Sequence, residues 1–250
     1  MVRSVEKYLL ERIKSEKTIH VTLIDPEKVT PAQASKIASN AKTSQTSAIM
    51  VGGSTFSSIV HLDAIVKAVK RTVGIPVILF PSNVTGISRH ADAIWFMSLL
   101  NSVDPYFLIG AQILGAPLVK RYRIEPISMG YIIVGEGGTA GIVGRAVPIP
   151  YDKPELAVAH ALAGQYLGMR FIYLEAGSGA KNPVPPGMIK TVKSAINVPL
   201  IVGGGIRFGQ QALNAASAGA DVIVTGNIIE RTESRSKVSE IVRGIRNRRE

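Results

Sequence analysis

Residues 199–227 read PLIVGGGIRFGQQALNAASAGADVIVTGN. Two short apolar runs, 199–202 and 221–225, each break into glycine, and a helix-compatible stretch at 209–218 lies between them. Strand, glycine turn, helix, strand and glycine turn in succession make a parallel crossover unit. Glycines let backbone N–H groups approach an anion closely, and a helix N-terminus beyond them adds partial positive charge. An open doubly wound sheet and a closed barrel both use such units. Anion-type turns after the last two strands favour the closed (β/α)8 barrel, whose recurrent phosphate site lies there. The plain alternative is that these glycines only make tight turns.

Working back toward the N-terminus, the same unit recurs. Residues 3–16 carry Val5, Leu9 and Ile13 at helical spacing, which predicts a leading helix. IHVTLID (19–25) is a β-branched strand stopped by Asp25-Pro26, and Thr30-Pro31 has the form of a helix start. SAIMVG (47–52), IPVILF (75–80), DAIWFMS (92–98), MGYIIV (129–134) and FIYLEAGSG (171–179) supply further strands. Helices are expected near 56–70, 105–118, 154–168, from 185–186 onward, and at 237–248. Only about 11 residues separate the third and fourth strands, with Pro81 and Gly86 among them, so the crossover helix there is expected to be missing or replaced by a loop. The glycine-rich stretch 136–150 is expected to be a long functional loop without structure of its own. Eight strands too uniformly apolar to be half-exposed give one modified TIM-type barrel, read as a single domain over residues 1–250.

Composition agrees with that size and class. The chain has 250 residues and is 46% hydrophobic, ample for a core. It contains no cysteine, which excludes disulfides, thiolate metal sites and cysteine nucleophiles and fits a reducing, cytoplasmic setting. The first residues lack the apolar core and cleavage site of a signal peptide. The greasiest segment, 93–119, is interrupted by Asn101, Asp104, Pro105 and Gln112, short of the roughly 18 apolar residues a membrane span needs. The formal net charge of +11 points to anionic partners: nucleic acid, an acidic membrane surface or phosphorylated small molecules. A solvated basic surface with no specific partner is the equal alternative, since residues 230–250 hold seven Lys/Arg against four Glu, only a modest local surplus.

Four groups of residues carry chemistry. GGGIR (203–207) and TGN (225–227) predict a phosphate on the ligand. Asp25 and Ser54, at the ends of the first two strands, suit a hard divalent cation such as Mg²⁺ shared with phosphate oxygens, although an Asp-Pro after a strand is commonly a turn or cap. Glu175 ends its strand, and alternation puts Tyr173 on the same face, so a carboxylate could hold substrate hydroxyls and take a proton; a Glu capping a neighbouring loop is the rival. Trp95, Phe96, Tyr106 and Phe107 flank the missing-helix side, where a hydrocarbon could lie, though such residues commonly serve as core. The four histidines, His20, His61, His90 and His160, show no metal spacing and read as structural or exposed residues.

HVTLIDPEK (20–28), VGGSTF (51–56), FPSN (80–83), FMSLLNS (96–102), YLEAGSGA (173–180), VGGGIR (202–207) and TGN (225–227) occur in that order. The ordered set resembles the geranylgeranylglyceryl phosphate synthase family, with its heptaprenylglyceryl phosphate synthase relatives, over nearly the whole chain. The resemblance implies a prenyltransferase on a barrel lacking one helix. It would join sn-glycerol 1-phosphate to a polyprenyl diphosphate, with a geranylgeranyl donor the family-based expectation, releasing diphosphate in the first ether-forming step of archaeal-type membrane phospholipid synthesis. It also implies Mg²⁺ held by Asp25 and Ser54, and glycerol bound by Tyr173, Leu174, Glu175, Ala176, Gly177, Ser178 and Gly179, with Glu175 taking the hydroxyl proton. The phosphate would rest on Gly204, Gly205, Gly226 and Asn227.

Two other readings follow from the residues. One is a different phosphate-binding barrel enzyme, a sugar-phosphate isomerase or a synthase of indole or thiamine precursors; no clear strand-end lysine supports it. The other is a basic nucleic-acid-binding or scaffold protein, which predicts salt-dependent retention on DNA or RNA and indifference to Glu175→Gln. The enzyme reading expects no nucleic-acid partner, tolerates peripheral contact with an anionic membrane surface, and expects a homo-oligomer on general grounds.

Overall fold

The structure is a computed structural model that describes residues 4–55, 58–226 and 234–247. Eight parallel strands close into a barrel in sequence order: β1 (Ile19–Ile24), β2 (Ala48–Val51), β3 (Val77–Leu79), β4 (Ala93–Leu99), β5 (Glu125–Ile133), β6 (Phe171–Glu175), β7 (Leu200–Gly203) and β8 (Val222–Thr225). Closure is made by β1 against β8, with His20 opposite Ile223 and Thr22 opposite Thr225. The barrel expected from the two glycine turns is the one formed.

Strand alternation sorts the apolar residues into an inner core and an outer shell. Val21, Met50, Ile78, Trp95, Met129, Phe171, Ile201 and Val224 fill the interior. Their neighbours in sequence point outward against helices, forming two further clusters around the wall. That two-sided burial explains why these strands read as continuous apolar runs. The helices are α1 (Val5–Glu16), α2 (Pro31–Thr43), α3 (Ile59–Thr72), α4 (Ala111–Tyr122), α5 (Gly138–Val143), α6 (Pro154–Tyr166), α7 (Pro186–Ala195), α8 (Gly209–Ser217) and α9 (Ser234–Arg246). Thr30 caps α2 in a full capping box with Gln33.

Helix α1 seals the amino-terminal end of the barrel. Val5 and Leu9 are buried in the interior cluster, with Tyr8 and Ile13 packed against it. The Glu125 carboxylate, at the start of β5, accepts the Ser4 hydroxyl at 2.5 Å and the Val5 N–H at 2.6 Å, which ties down the first turn. With that end stoppered, the large cavity among the described residues opens at the carboxyl end of the strands.

The unit between β3 and β4 lacks its helix, as expected. A single 3-10 turn, Val84–Gly86, stands in its place. The wall is also thin there, because β3 and β4 pair at only Ile78–Ala93 and Leu79–Ile94, whereas β4 and β5 stay in register from Ala93–Glu125 to Leu99–Tyr131. Pro81 cannot donate to a ladder, so the β3 side stops and the upper half of β4 is left with one strand neighbour. Gln112 of α4 covers that edge by donating its side-chain amide to the Met97 carbonyl.

Three expectations need correction. Strand β5 begins at Glu125 rather than 129. Its pairing with β6 starts only at Met129, so Pro126 sits where the strand has one neighbour and a missing N–H is tolerated. The stretch 136–150 is not free of structure: it contains α5, and Val134 bridges Ile149 while Ser102 bridges Ala146. Helix α3 starts at Ile59, capped by Ser58, and residue 56 lies outside the described residues.

Candidate active site

A cavity of about 360 Å³ opens at the carboxyl end of the strands. One part is polar, bounded by Asp25, Ser54, Glu175, Ser178, Gly179, Gly204, Gly205, Arg207 and Gly226. The other is apolar and leaves the barrel through the thin β3–β4 wall. It is bounded by Trp95 and Met97 from the inner face of β4, Ile94 and Phe96 from its outer face, Ile87, and Phe107, Ala111 and Gly115 before and along α4. The polar and apolar compartments meet above the barrel floor.

That floor is aromatic. Phe80, Tyr131 and Tyr173 form a triad with ring centroids 5.5 Å apart for Phe80–Tyr131, 5.8 Å for Phe80–Tyr173 and 5.1 Å for Tyr131–Tyr173. Burial, with the Glu175 charge nearby as the next cause, holds both tyrosine hydroxyls well above their ordinary pKa, so both stay protonated. Gly203 makes room for the triad, because a Cβ there would run into the Tyr173 hydroxyl.

Glu175 is 6% exposed. Its Oε1 accepts the Gly177 N–H at 2.7 Å. The Tyr173 hydroxyl lies beside the carboxylate and helps to hold its charge, yet forms no hydrogen bond of full geometry. Burial is the larger influence and pushes the Glu175 pKa above the ordinary carboxylate range, against the two stabilising contacts. A buried carboxylate with raised basicity, aimed into a cavity, suits proton abstraction.

The loops after β6 and β7 are built around each other. Gly204 has φ +84° and Gly205 φ +72°, left-handed conformations open to glycine. The Arg207 guanidinium donates to the carbonyls of Ala180 at 2.7 Å, Gly179 at 3.1 Å and Lys181 at 3.2 Å, fixing the β6 loop against the β7 loop. Gln211 of α8 accepts the Arg207 N–H at 2.7 Å, so the turn runs directly into a helix N-terminus. Gly204, Gly205 and Arg207 border the polar compartment, the kind of glycine turn and helix start that suits an anion.

Across the mouth, Asp25 follows β1. Its Oδ1 accepts the Glu27 N–H at 3.1 Å, and its Oδ2 pairs with Lys28 at 3.1 Å. It acts as a turn cap and also borders the cavity. The β2 loop closes on it, since a Cβ on Gly53 would come 2.5 Å from Asp25 Oδ1. Among the described residues no group of three or more His, Asp or Glu could cage a metal. The donors present, one carboxylate, the Ser54 hydroxyl and backbone oxygens, fit Mg²⁺ that takes the rest of its shell from phosphate and water.

The structure brings Asp25, Ser54, Tyr173, Glu175, Ser178, Gly179, Gly204, Gly205 and Gly226 to one cavity. Leu174 and Ala176 are not there: their side chains pack in the outer core against helices, as strand alternation requires. The Gly177 N–H is used by Glu175, and Asn227 lies outside the described residues. Trp95, Phe96 and Phe107 border the apolar compartment, whereas Tyr106 packs edge-on against Phe107 without reaching it. The sequence reading missed Phe80 and Tyr131, Arg207, and the α5 wall made by Thr139, Ala140 and Val143. Two-residue alternation along β5 marks Tyr131 as inward; nothing local marks Arg207 as a brace between loops.

The fold and cavity define an α/β barrel enzyme class with paired polar and apolar ligand compartments at the strand ends. The chain belongs to the PcrB family, whose pattern it matches over residues 11–245. It is 55% identical to the geranylgeranylglyceryl phosphate synthase of Pyrococcus abyssi, over 98% of this chain and 99% of that protein. It superposes with TM-score 0.95 on the crystal structure of (S)-3-O-geranylgeranylglyceryl phosphate synthase from Thermoplasma acidophilum in complex with its substrate sn-glycerol-1-phosphate, at 40% identity and covering 98% and 99% of the two chains. A thiamine phosphate pyrophosphorylase from Pyrococcus furiosus has TM-score 0.60 at 11% identity over 92% and 96% of the chains, a likeness of fold alone.

Proposed function

We propose that this chain is a prenyltransferase that joins sn-glycerol 1-phosphate to geranylgeranyl diphosphate and releases diphosphate. The observation that carries the reading is the cavity itself: a buried, basic carboxylate stands where a polar, glycine-lined compartment meets an apolar groove through the wall. The named activities of the relatives supply the substrates that fit the two parts.

The glycerol phosphate lies in the polar part, its phosphate toward Gly204, Gly205 and Gly226 and its free primary hydroxyl toward Glu175. The prenyl tail lies between β4 and α4, which places its allylic C1 over the aromatic floor. The hydroxyl oxygen bonds to C1, the bond from C1 to the diphosphate oxygen breaks, and the hydroxyl proton passes to Glu175. Asp25 and Ser54 would hold Mg²⁺, which would supply charge neutralisation for the departing diphosphate. Phe80, Tyr131 and Tyr173 exclude water that would quench an allylic cation, and their ring faces favour positive charge. Holding both reactants in one geometry supplies much of the rate.

No helix among the described residues is long and apolar enough to cross a membrane. The test is incubation of the protein with radiolabelled sn-glycerol 1-phosphate and geranylgeranyl diphosphate, with and without Mg²⁺. An organic-extractable ether product that requires the metal is expected. Absence of product across several prenyl lengths would end the reading.

A further inference from the structure

His20 takes no part in the chemistry above, yet it is a polar ring 2% exposed within the barrel wall. Residues 19 and 21 fill the interior, so His20 and Thr22 point outward into the layer between the wall and helices α2 and α9. There His20 Nδ1 lies 2.9 Å from Thr46 Oγ1, and His20 Nε2 lies 2.9 Å from Thr225 Oγ1. Burying an imidazole in this layer costs free energy that an apolar residue would not, and both ring nitrogens are answered by hydroxyls.

The directions of these bonds follow from proton counting. Thr46 Oγ1 stands 3.0 Å from the His20 carbonyl oxygen, and two oxygens at that distance need a hydrogen between them. The single Thr46 hydroxyl hydrogen is therefore committed to that carbonyl. Thr22 Oγ1 adds its own hydrogen to Thr46 Oγ1 at 3.3 Å. His20 Nδ1 must then be the donor to Thr46, which leaves Nε2 as a bare acceptor. The Thr225 hydroxyl donates to it. Burial holds the imidazole neutral, its pKa lowered to about 3, in keeping with one donating and one accepting nitrogen.

Thr225 is the last residue of β8 and borders the cavity together with Gly226, the residue that follows it. Its side chain faces away from the barrel interior, so the hydrogen bond to His20 holds the side chain of the residue from which the loop departs in one orientation. We infer that His20 is a positioning residue for the phosphate compartment: through Thr225 it sets the orientation of the Thr225–Gly226 backbone that receives the phosphate of the glycerol substrate. The inference rests on the proposed function only in taking that loop as the phosphate seat.

Four substitutions in the full-length chain separate positioning from bulk stability. His20→Gln keeps a polar acceptor near the Nε2 position, whereas His20→Asn keeps one only near Nδ1. Thr225→Ser keeps the donor, and Thr225→Val removes it at nearly constant shape. Titration calorimetry with sn-glycerol 1-phosphate and with inorganic phosphate is the readout, and geranylgeranyl diphosphate is the control ligand. His20→Asn and Thr225→Val are expected to raise both phosphate Kd values about tenfold, as loss of one orienting hydrogen bond implies. His20→Gln and Thr225→Ser should stay near wild type, and the control Kd should be unmoved throughout. Wild-type phosphate affinity in Thr225→Val, or an equal loss for all ligands in all variants, would overturn the inference. If wild type binds geranylgeranyl diphosphate but neither phosphate ligand, the seat itself is misassigned and the inference falls with it. Should His20→Asn fail to fold, the Thr225 pair decides alone.

Discussion

Glu175 and Gly204 share one niche: a Cβ placed on Gly204 would come 2.5 Å from Glu175 Oε1. The carboxylate at the end of β6 can stand at the cavity only because the residue after β7 has no side chain. Gly204 also has φ +84°, so alanine there meets backbone strain as well as the carboxylate. Gly204→Ala is expected to lose stability by about 1–3 kcal/mol and turnover by more than about a hundredfold. Urea unfolding and the radiolabel assay measure the two losses separately; an active Gly204→Ala protein would show that Glu175 need not hold this position.

Glu175→Gln separates the base from its hydrogen bonds. The amide oxygen can still accept the Gly177 N–H, so the loop should survive while proton abstraction is lost. Turnover should fall by about a hundred- to ten-thousandfold, the range of a positioned general base, with sn-glycerol 1-phosphate still bound. The pH dependence of stability carries a further sign. The folded-state pKa of Glu175 is raised, so its contribution is full below the ordinary carboxylate value and fades as pH rises through the raised value. The wild-type protein should therefore lose stability relative to Glu175→Gln as pH climbs toward neutrality. Parallel denaturation curves for the two proteins would remove the buried charge as the cause.

Much of this site is legible in the sequence because its residues sit at strand ends. FIYLE followed by AGSG puts Glu175 at a carboxyl terminus, and alternation alone puts Tyr173 on the same face. The same rule, applied strictly, turns the Leu174 side chain into the outer core, a distinction that a resemblance carried over as a block does not make. What sequence does not disclose is contact between loops. Arg207 sits in a glycine turn and reads as another surface cation until its guanidinium is seen closing on three carbonyls of the β6 loop. Helix α5 was hidden for a related reason: its glycines argue against a helix, but a Cβ on Gly138 would approach the Gly177 backbone at 3.3 Å, a constraint set by tertiary packing. The break between β3 and β4 was readable because proline and a short spacer are local signals.

Asp25→Asn tests the metal. The amide can still accept the Glu27 N–H but lacks the charge that pairs with Lys28 and attracts a divalent cation. The Mg²⁺ concentration for half-maximal rate should rise at least about tenfold, equivalent to about 1.4 kcal/mol of binding, with little change in thermal stability because the pair with Lys28 is partly exposed. An unaltered Mg²⁺ titration would take Asp25 out of the metal site.

In the proposed function the prenyl tail lies in the groove between β4 and α4, so the depth of that groove is expected to set how much hydrocarbon is accepted. Gly115 lines it, where a Cβ would come 3.1 Å from Ile87 Cδ1, and Ile87, Ile94 and Phe96 line it as well. A leucine at this position would need space that the groove supplies only by giving up its deep end. Gly115→Leu should therefore lower kcat/KM for geranylgeranyl diphosphate by about tenfold or more, as several lost methylene contacts imply, while a ten-carbon donor that never reaches this depth is used as before. Competition between the two donors, read as the ratio of chain lengths in the ether product, gives the answer in one reaction. An unchanged ratio would place the tail elsewhere and leave the β3–β4 gap as a feature of the fold without a part in substrate selection.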